Sequence, residues 1–238
     1  MKKLIVWFTF ALLLQSCASH NAKPDPSFPE QTAQKLFEGA LVNIAGQNYR
    51  LAAQKLEAIE SRFPFGPYAE QAQLYLIYVY YKLGESATAI SQADRFIRQH
   101  PRHPNVDYAY YMKGKVNFMA ELSALQRLFA APVDERDAQS ARQAFRDFAE
   151  LLKRFPNSRY AEDARRRMIF LRDRLAAYEI HVARHYMQRK AYVAAANRAK
   201  YVIEHYPRTS VTPAALAMLY SAYKQLGLDE QAEHARLT

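Results

Sequence analysis

Few residues in this chain stand at the spacings that catalysis or metal binding requires. His181 and His185 are four apart, a helical step that lets two imidazoles reach one metal ion. No Glu follows His181, and Arg184 sets a cation beside the pair, which disfavours a metal there. The acids Glu162-Asp163 and Glu57/Glu60 could in principle divide into a general acid and a base. On amphipathic helices such acids are ordinarily solvated surface. The serines lack a Gly-x-Ser-x-Gly elbow, and no Gly-rich loop precedes a helix. No enzymatic activity is therefore expected. The chemistry on offer is recognition: 17 Tyr and 13 Phe supply rigid contact area with a polar handle, and Arg165-Arg166-Arg167 with Arg172 and Arg174 form a basic run. Tyr75, Tyr78, Tyr80 and Tyr81 cannot all face one way, because helical steps of one and two diverge, so some must line a groove or the surface while others pack neighbouring helices.

The elements that position these residues follow from composition. Half of the 238 residues are hydrophobic and only 6 are Gly, which argues against Gly-turned sandwiches, barrels and phosphate-binding α/β folds. One cysteine excludes a disulfide framework and a Cys-based zinc site. The net charge of +10 suits an acidic partner: nucleic acid, anionic lipid or an acidic protein face. The N-terminus selects among these. Met1-Lys2-Lys3 is followed by an apolar run from Leu4 to Leu14, the pattern of a secretory signal and too short to span a bilayer. Leu14-Gln15-Ser16-Cys17 resembles a bacterial lipobox and holds the chain's only Cys. It implies loss of residues 1–16 and conversion of Cys17 to an N-acylated, S-diacylglycerol residue, more than enough acyl chain for stable anchoring. Ala18 rather than Asp after Cys17 directs such a lipoprotein to the outer membrane, facing the periplasm. Nucleic acid drops out as a partner, and no cofactor beyond the lipid is expected. Residues 17–30 carry three prolines and no apolar period, so they read as an extended lipidated tether.

From residue 31 to 238 the apolar spacing is three and four, as in Leu51, Leu56, Ile59 and Phe63, which predicts an all-α body. Four prolines, Pro64, Pro101, Pro156 and Pro207, share a setting. Twelve residues before each stands Ala52, Ala89, Ala144 or Ala195; eight after each stands Ala72, Ala109, Ala164 or Ala215; five before each stands Ile59, Phe96, Leu151 or Val202. Small residues let two helices cross closely, and proline ends a helix. The pattern resembles the tetratricopeptide repeat and predicts a superhelical solenoid of about five helix pairs. The spacing from Pro101 to Pro156 places an insertion in the third unit, around Met119–Asp137. The fourth unit carries a lengthened helix, from about Ala161 to Arg189, a stretch without Pro or Gly.

The stretches Arg62-Phe63-Pro64-Phe65-Gly66-Pro67-Tyr68, Leu76-Ile77-Tyr78, Asp94-Arg95-Phe96-Ile97-Arg98, Phe155-Pro156-Asn157-Ser158 and Asn197-Arg198, together with the lipobox, resemble the BamD family, the tetratricopeptide-repeat lipoproteins of the outer-membrane β-barrel assembly machinery. The resemblance covers roughly residues 30–225. It implies a non-enzymatic scaffold that binds a BamA-like barrel insertase and helps recognise and insert unfolded outer-membrane proteins. It implies an N-terminal peptide-groove half, about 31–117, with Phe65, Gly66, Tyr68, Tyr75 and Tyr78 in the groove. It further implies a C-terminal docking half, about 138–238, in which Arg198 and Asn197 meet the insertase, and accessory lipoproteins of the BamC and BamE type as further partners. Two other readings stay open: a pilotin-type repeat lipoprotein escorting a secretin, and a helical cell-wall enzyme.

Overall fold

The computed structural model describes residues 31–128 and 138–237. Ten α-helices fill these residues, with no strand among them. They are α1 (Ala33–Ala45), α2 (Tyr49–Arg62), α3 (Pro67–Leu83), α4 (Ser86–Gln99), α5 (Val106–Leu128), α6 (Gln139–Arg154), α7 (Ala161–Gln188), α8 (Tyr192–His205), α9 (Thr212–Gln225) and α10 (Asp229–Leu237). Consecutive helices pack as five pairs, the expected solenoid. The signal segment, Cys17 and the tether lie outside the described residues.

The repeat columns explain how the pairs form. All eight column alanines are fully buried, as are Ile59, Phe96, Leu151 and Val202. At each pair's exit, the residue before proline leaves the helical region: Phe63, His100, Phe155 and Tyr206 all adopt φ between −132° and −127° with ψ between 51° and 64°. Proline's Cδ forces that escape. The escaping residue still donates its N–H to the carbonyl four back, at 2.8–2.9 Å, and that carbonyl belongs to Ile59, Phe96, Leu151 or Val202. One residue thus plugs the core and accepts the last helical bond.

The turns inside four pairs also repeat. Gln47, Gly84, Lys190 and Gly227 have φ of 58°, 78°, 60° and 71°. The next residue returns its N–H to Asn43, Tyr80, Tyr186 or Tyr223 at 2.8–3.0 Å, the Schellman closure. Two of the four left-handed positions are glycine; at the other two, side chains occupy a region they enter at a cost.

The first helices of successive pairs pack closely on one another, α1 with α3, α3 with α5, α5 with α7 and α7 with α9, whereas the backbones of the second helices stay apart and meet only through long side chains, as where Arg95 of α4 donates to Glu60 of α2. The first helices therefore form a continuous inner wall, and the second helices splay on the outside. The third pair departs from expectation. Met119–Leu128 continues α5 rather than opening a loop, because Glu, Leu, Ala, Gln and Arg in that stretch are good helix formers and no Pro or Gly intervenes before Pro132. The rest of the expected insertion lies outside the described residues. The long helix of the fourth pair is α7, Ala161–Gln188.

Candidate functional site

The inner wall carries a cluster of aromatic side chains, some buried and some reaching the surface. On α1, Phe37 lies between Tyr68 and Tyr75 of α3, at ring-centre distances of 5.7 and 5.5 Å. Tyr78 meets Tyr49 edge-on at 6.2 Å. Across the next pair, Tyr111 of α5 stacks on Tyr160 at 4.6 Å with planes 14° apart, and Tyr108 meets the same ring at 5.7 Å. Burial, then the neighbouring phenols of Tyr160, Tyr78, Tyr75 and Tyr111, push the Tyr108 pKa well up, so the α3 and α5 tyrosines form one field. Tyr80, by contrast, points inward and donates to Glu57; burial followed by that carboxylate raises its pKa strongly. Tyr75, Tyr78, Tyr80 and Tyr81 divide as helical geometry demands: Tyr80 is core and the others border the wall.

Cations stand one turn on from the tyrosines. Lys82 follows Tyr78 by four and Lys115 follows Tyr111 by four. The Lys115 ammonium lies 5.3 Å from the Tyr81 ring centre and 5.6 Å from that of Tyr111. Lys82 lies 5.4 Å from the Tyr49 ring centre. On α7, Arg167 donates to Asp163 at 2.6 Å and covers the Phe118 ring at 4.7 Å, and Tyr111 donates to the same carboxylate at 2.7 Å. Burial works to raise Asp163, but the hydrogen bonds from Arg167 and Tyr111 outweigh it and hold the carboxyl below its ordinary range. For Tyr111, burial and the bond to Asp163 push the phenol up to about 12.

The expected groove residues occupy different settings. Tyr68 and Tyr75 share Phe37, and Tyr78 sits beside the α5 tyrosines. Phe65 stands apart in the α2–α3 turn, 91% exposed, followed by Gly66 at φ 99°. Phe37, Tyr108, Tyr111, Tyr160, Lys82 and Lys115 were not anticipated by sequence reasoning. The four-residue step from tyrosine to lysine on α3 and again on α5 was the available signal.

Arg198, on the outer helix α8, is not a free cation. It donates to Glu179 of α7 at 2.8 Å, while Arg142 of α6 approaches the other Glu179 oxygen at 4.0 Å. Glu179 is 5% exposed, whereas the Arg198 side chain is 44% exposed. The buried carboxylate thus holds one side of a guanidinium whose other side meets solvent. Asn197 is exposed next to it. On the same helix face Val193 and Tyr201 are exposed, and Tyr201 stacks on His205 at 4.1 Å. His181 and His185 both lie on α7, and His181 already has a partner. Among the described residues no three His, Cys, Asp or Glu side chains gather as they would around a metal ion, and no helix is long and apolar enough to cross a membrane.

Residues 29–237 match the YfiO family, described as outer membrane lipoprotein. The chain is 42% identical to the outer membrane protein assembly factor BamD of Neisseria gonorrhoeae, across 99% of this chain and 89% of that protein. It is 38% identical to the Vibrio cholerae protein of the same name, across 94% and 91%. The chain belongs to the BamD family. The relatives' names speak for outer membrane protein assembly rather than secretin escort or cell-wall chemistry. Among solved structures, a tetratricopeptide-repeat protein from Parabacteroides merdae is similar at 14% identity and a TM-score of 0.46, over 87% of this chain and 78% of that one. This BamD-family chain has its aromatic wall on the three leading first helices and its Arg198 junction on the fourth pair.

Proposed function

We propose that this BamD-family chain is a lipid-anchored, non-enzymatic adaptor on the periplasmic face of the outer membrane, which holds unfolded outer-membrane proteins for a BamA-like insertase. Family membership supports the setting, and the observation that carries the mechanism is the inner wall: Tyr68, Tyr75, Tyr78 and Tyr108 reach the surface of successive first helices over the buried rings of Phe37 and Tyr111. An unfolded strand needs sequence-tolerant apolar contact and hydrogen-bonding partners, and tyrosine gives both for few rotatable bonds. Arg198 and Asn197 make the insertase contact on the outer side, so precursor and insertase use opposite faces of the solenoid. Accessory lipoproteins of the BamC and BamE type would take further surfaces. Cys17 carries the lipid.

Photocrosslinking in living cells tests this reading. A crosslinker at Tyr68 should capture outer-membrane precursors, and one at Arg198 should capture the insertase. Crosslinks to a secretin at both positions would overturn it. Cys17→Ala should release the chain from the outer membrane on fractionation; unchanged membrane association would refute the anchor.

A further inference from the structure

The inner wall holds two rows, not one. Tyr75, Tyr78, Tyr108, Tyr111 and Tyr160 form an aromatic row across α3, α5 and the start of α7, and further along the same helices Lys82 and Lys115, about one turn on, and Arg167, about two turns on, form a cationic row. Arg167 is neutralised by Asp163. Among the described residues, neither Lys82 nor Lys115 has a carboxylate within ion-pair distance; each rests on tyrosine rings instead. A cleft of about 460 Å³, walled by Tyr81, Lys82, Val116, Met119 and Ala120, opens beside them.

We infer that Lys115, with Lys82, is a carboxylate receptor inside the groove, which selects extended segments carrying an Asp or Glu side chain next to aromatic or aliphatic residues. This rests on the groove reading above and adds a specificity to it. Charge favours the assignment: Lys115 is half-buried and faces the like charges of Arg167 and Lys82, with Asp163 already engaged by two donors. An incoming carboxylate relieves that repulsion and gains a charge-assisted hydrogen bond. Burial first, then Arg167, draws the Lys115 pKa below that of an ordinary lysine, and the opposing attraction of Asp163 does not offset them. The position favours a side chain over a chain terminus. Aromatic contacts continue on both sides, at Tyr75 and Tyr78 on α3 and at Phe118 and Phe170 on α5 and α7, so a bound segment runs past Lys115 rather than ending there.

The test uses the full-length chain in detergent and fluorescent peptides of alternating Phe and Thr, acetylated and amidated at their ends, with Glu, Gln or Lys at the centre. The Glu peptide should bind about fivefold to tenfold tighter than the Gln peptide at low salt, and the gap should shrink as salt rises. Lys115→Gln should erase the gap between the Glu and Gln peptides, and Lys115→Arg should keep it; circular dichroism verifies the fold of both. Equal binding of Glu and Gln peptides to the unaltered protein overturns the inference and leaves the groove standing. A preference that follows a free C-terminal carboxylate instead of the central residue also overturns it. If none of the peptides binds, the groove reading falls and this inference with it.

Discussion

The inner wall at α5 and the outer junction at α7–α8 both present a cation among aromatic rings, and they hold it in opposite ways. Lys115 lies over Tyr81 and Tyr111 with no carboxylate in reach among the described residues. Arg198 is clasped by Glu179, which Arg142 supports from the other side while lying 5.4 Å from the Tyr178 ring centre. The scaffolds differ as well. The largest fully buried side chains all lie between Leu36 and Leu171, and the last helices pack through Ala195, Ala196, Ala199, Ala222 and Ala235 around Leu219. The leading pairs are thus a large-residue core displaying a cation with no carboxylate in ion-pair distance among the described residues. The trailing pairs are a thinner, small-residue core displaying a charge fixed in direction. A cation without a counter-ion is available to a passing ligand, whereas one held by a buried carboxylate is pre-oriented for a partner that always docks in the same place.

The contrast can be broken first at its support. Phe148 lies behind α5, 6.1 Å from Tyr111 and 6.5 Å from Phe118, and fills the space left by Gly114, where a Cβ would come within 2.6 Å of its ring. Phe148→Ala should cost about 3–5 kcal/mol, read by thermal melting. Next in size is Glu179→Gln, which leaves two arginines without their carboxylate. Because both guanidiniums reach solvent, the expected loss is about 1–3 kcal/mol, whereas Lys115→Gln should change stability by no more than about 0.5 kcal/mol. Equal losses at the two sites would refute the contrast.

The turns give a smaller effect with a predicted sign. Gly84→Ala should destabilise by about 1 kcal/mol, and Lys190→Gly, at the same left-handed position, should gain up to about 1 kcal/mol in denaturant titration. The last prediction concerns pH. The Asp163 pKa is depressed in the fold, so its contribution is full above the unfolded value of about 4 and is lost as pH falls through the folded value. Asp163→Asn should flatten that acid limb of the stability profile, leaving the profile near neutral pH unchanged in shape.

Much of this architecture was legible in local chemistry. The four prolines, the buried alanine columns and the large residue five before each proline all act within one helix pair, and periodicity reports that directly. The groove was legible only in part. Tyr68, Tyr75 and Tyr78 stand close together in the chain, but their counterparts Phe37, Tyr108, Tyr111 and Tyr160 come from other pairs, and no spacing rule connects them. Phe65, which the family resemblance groups with them, stands in the turn before Gly66 and is exposed to solvent. Within the expected Met119–Asp137 insertion, residues 119–128 lengthen α5, a form that the spacing of the prolines could not specify.

By itself the sequence determined that the chain is a run of helix pairs: helix stops, crossings and turns are short-range steric facts written at fixed spacings. Only the tertiary structure decided which charges are satisfied. Lys115 and Arg198 look alike as letters, and they are set apart by where Glu179 and Asp163, each many residues distant from one or the other, deliver their carboxylates. Superhelical stacking decides those meetings, because it sets which faces of non-adjacent helices come together.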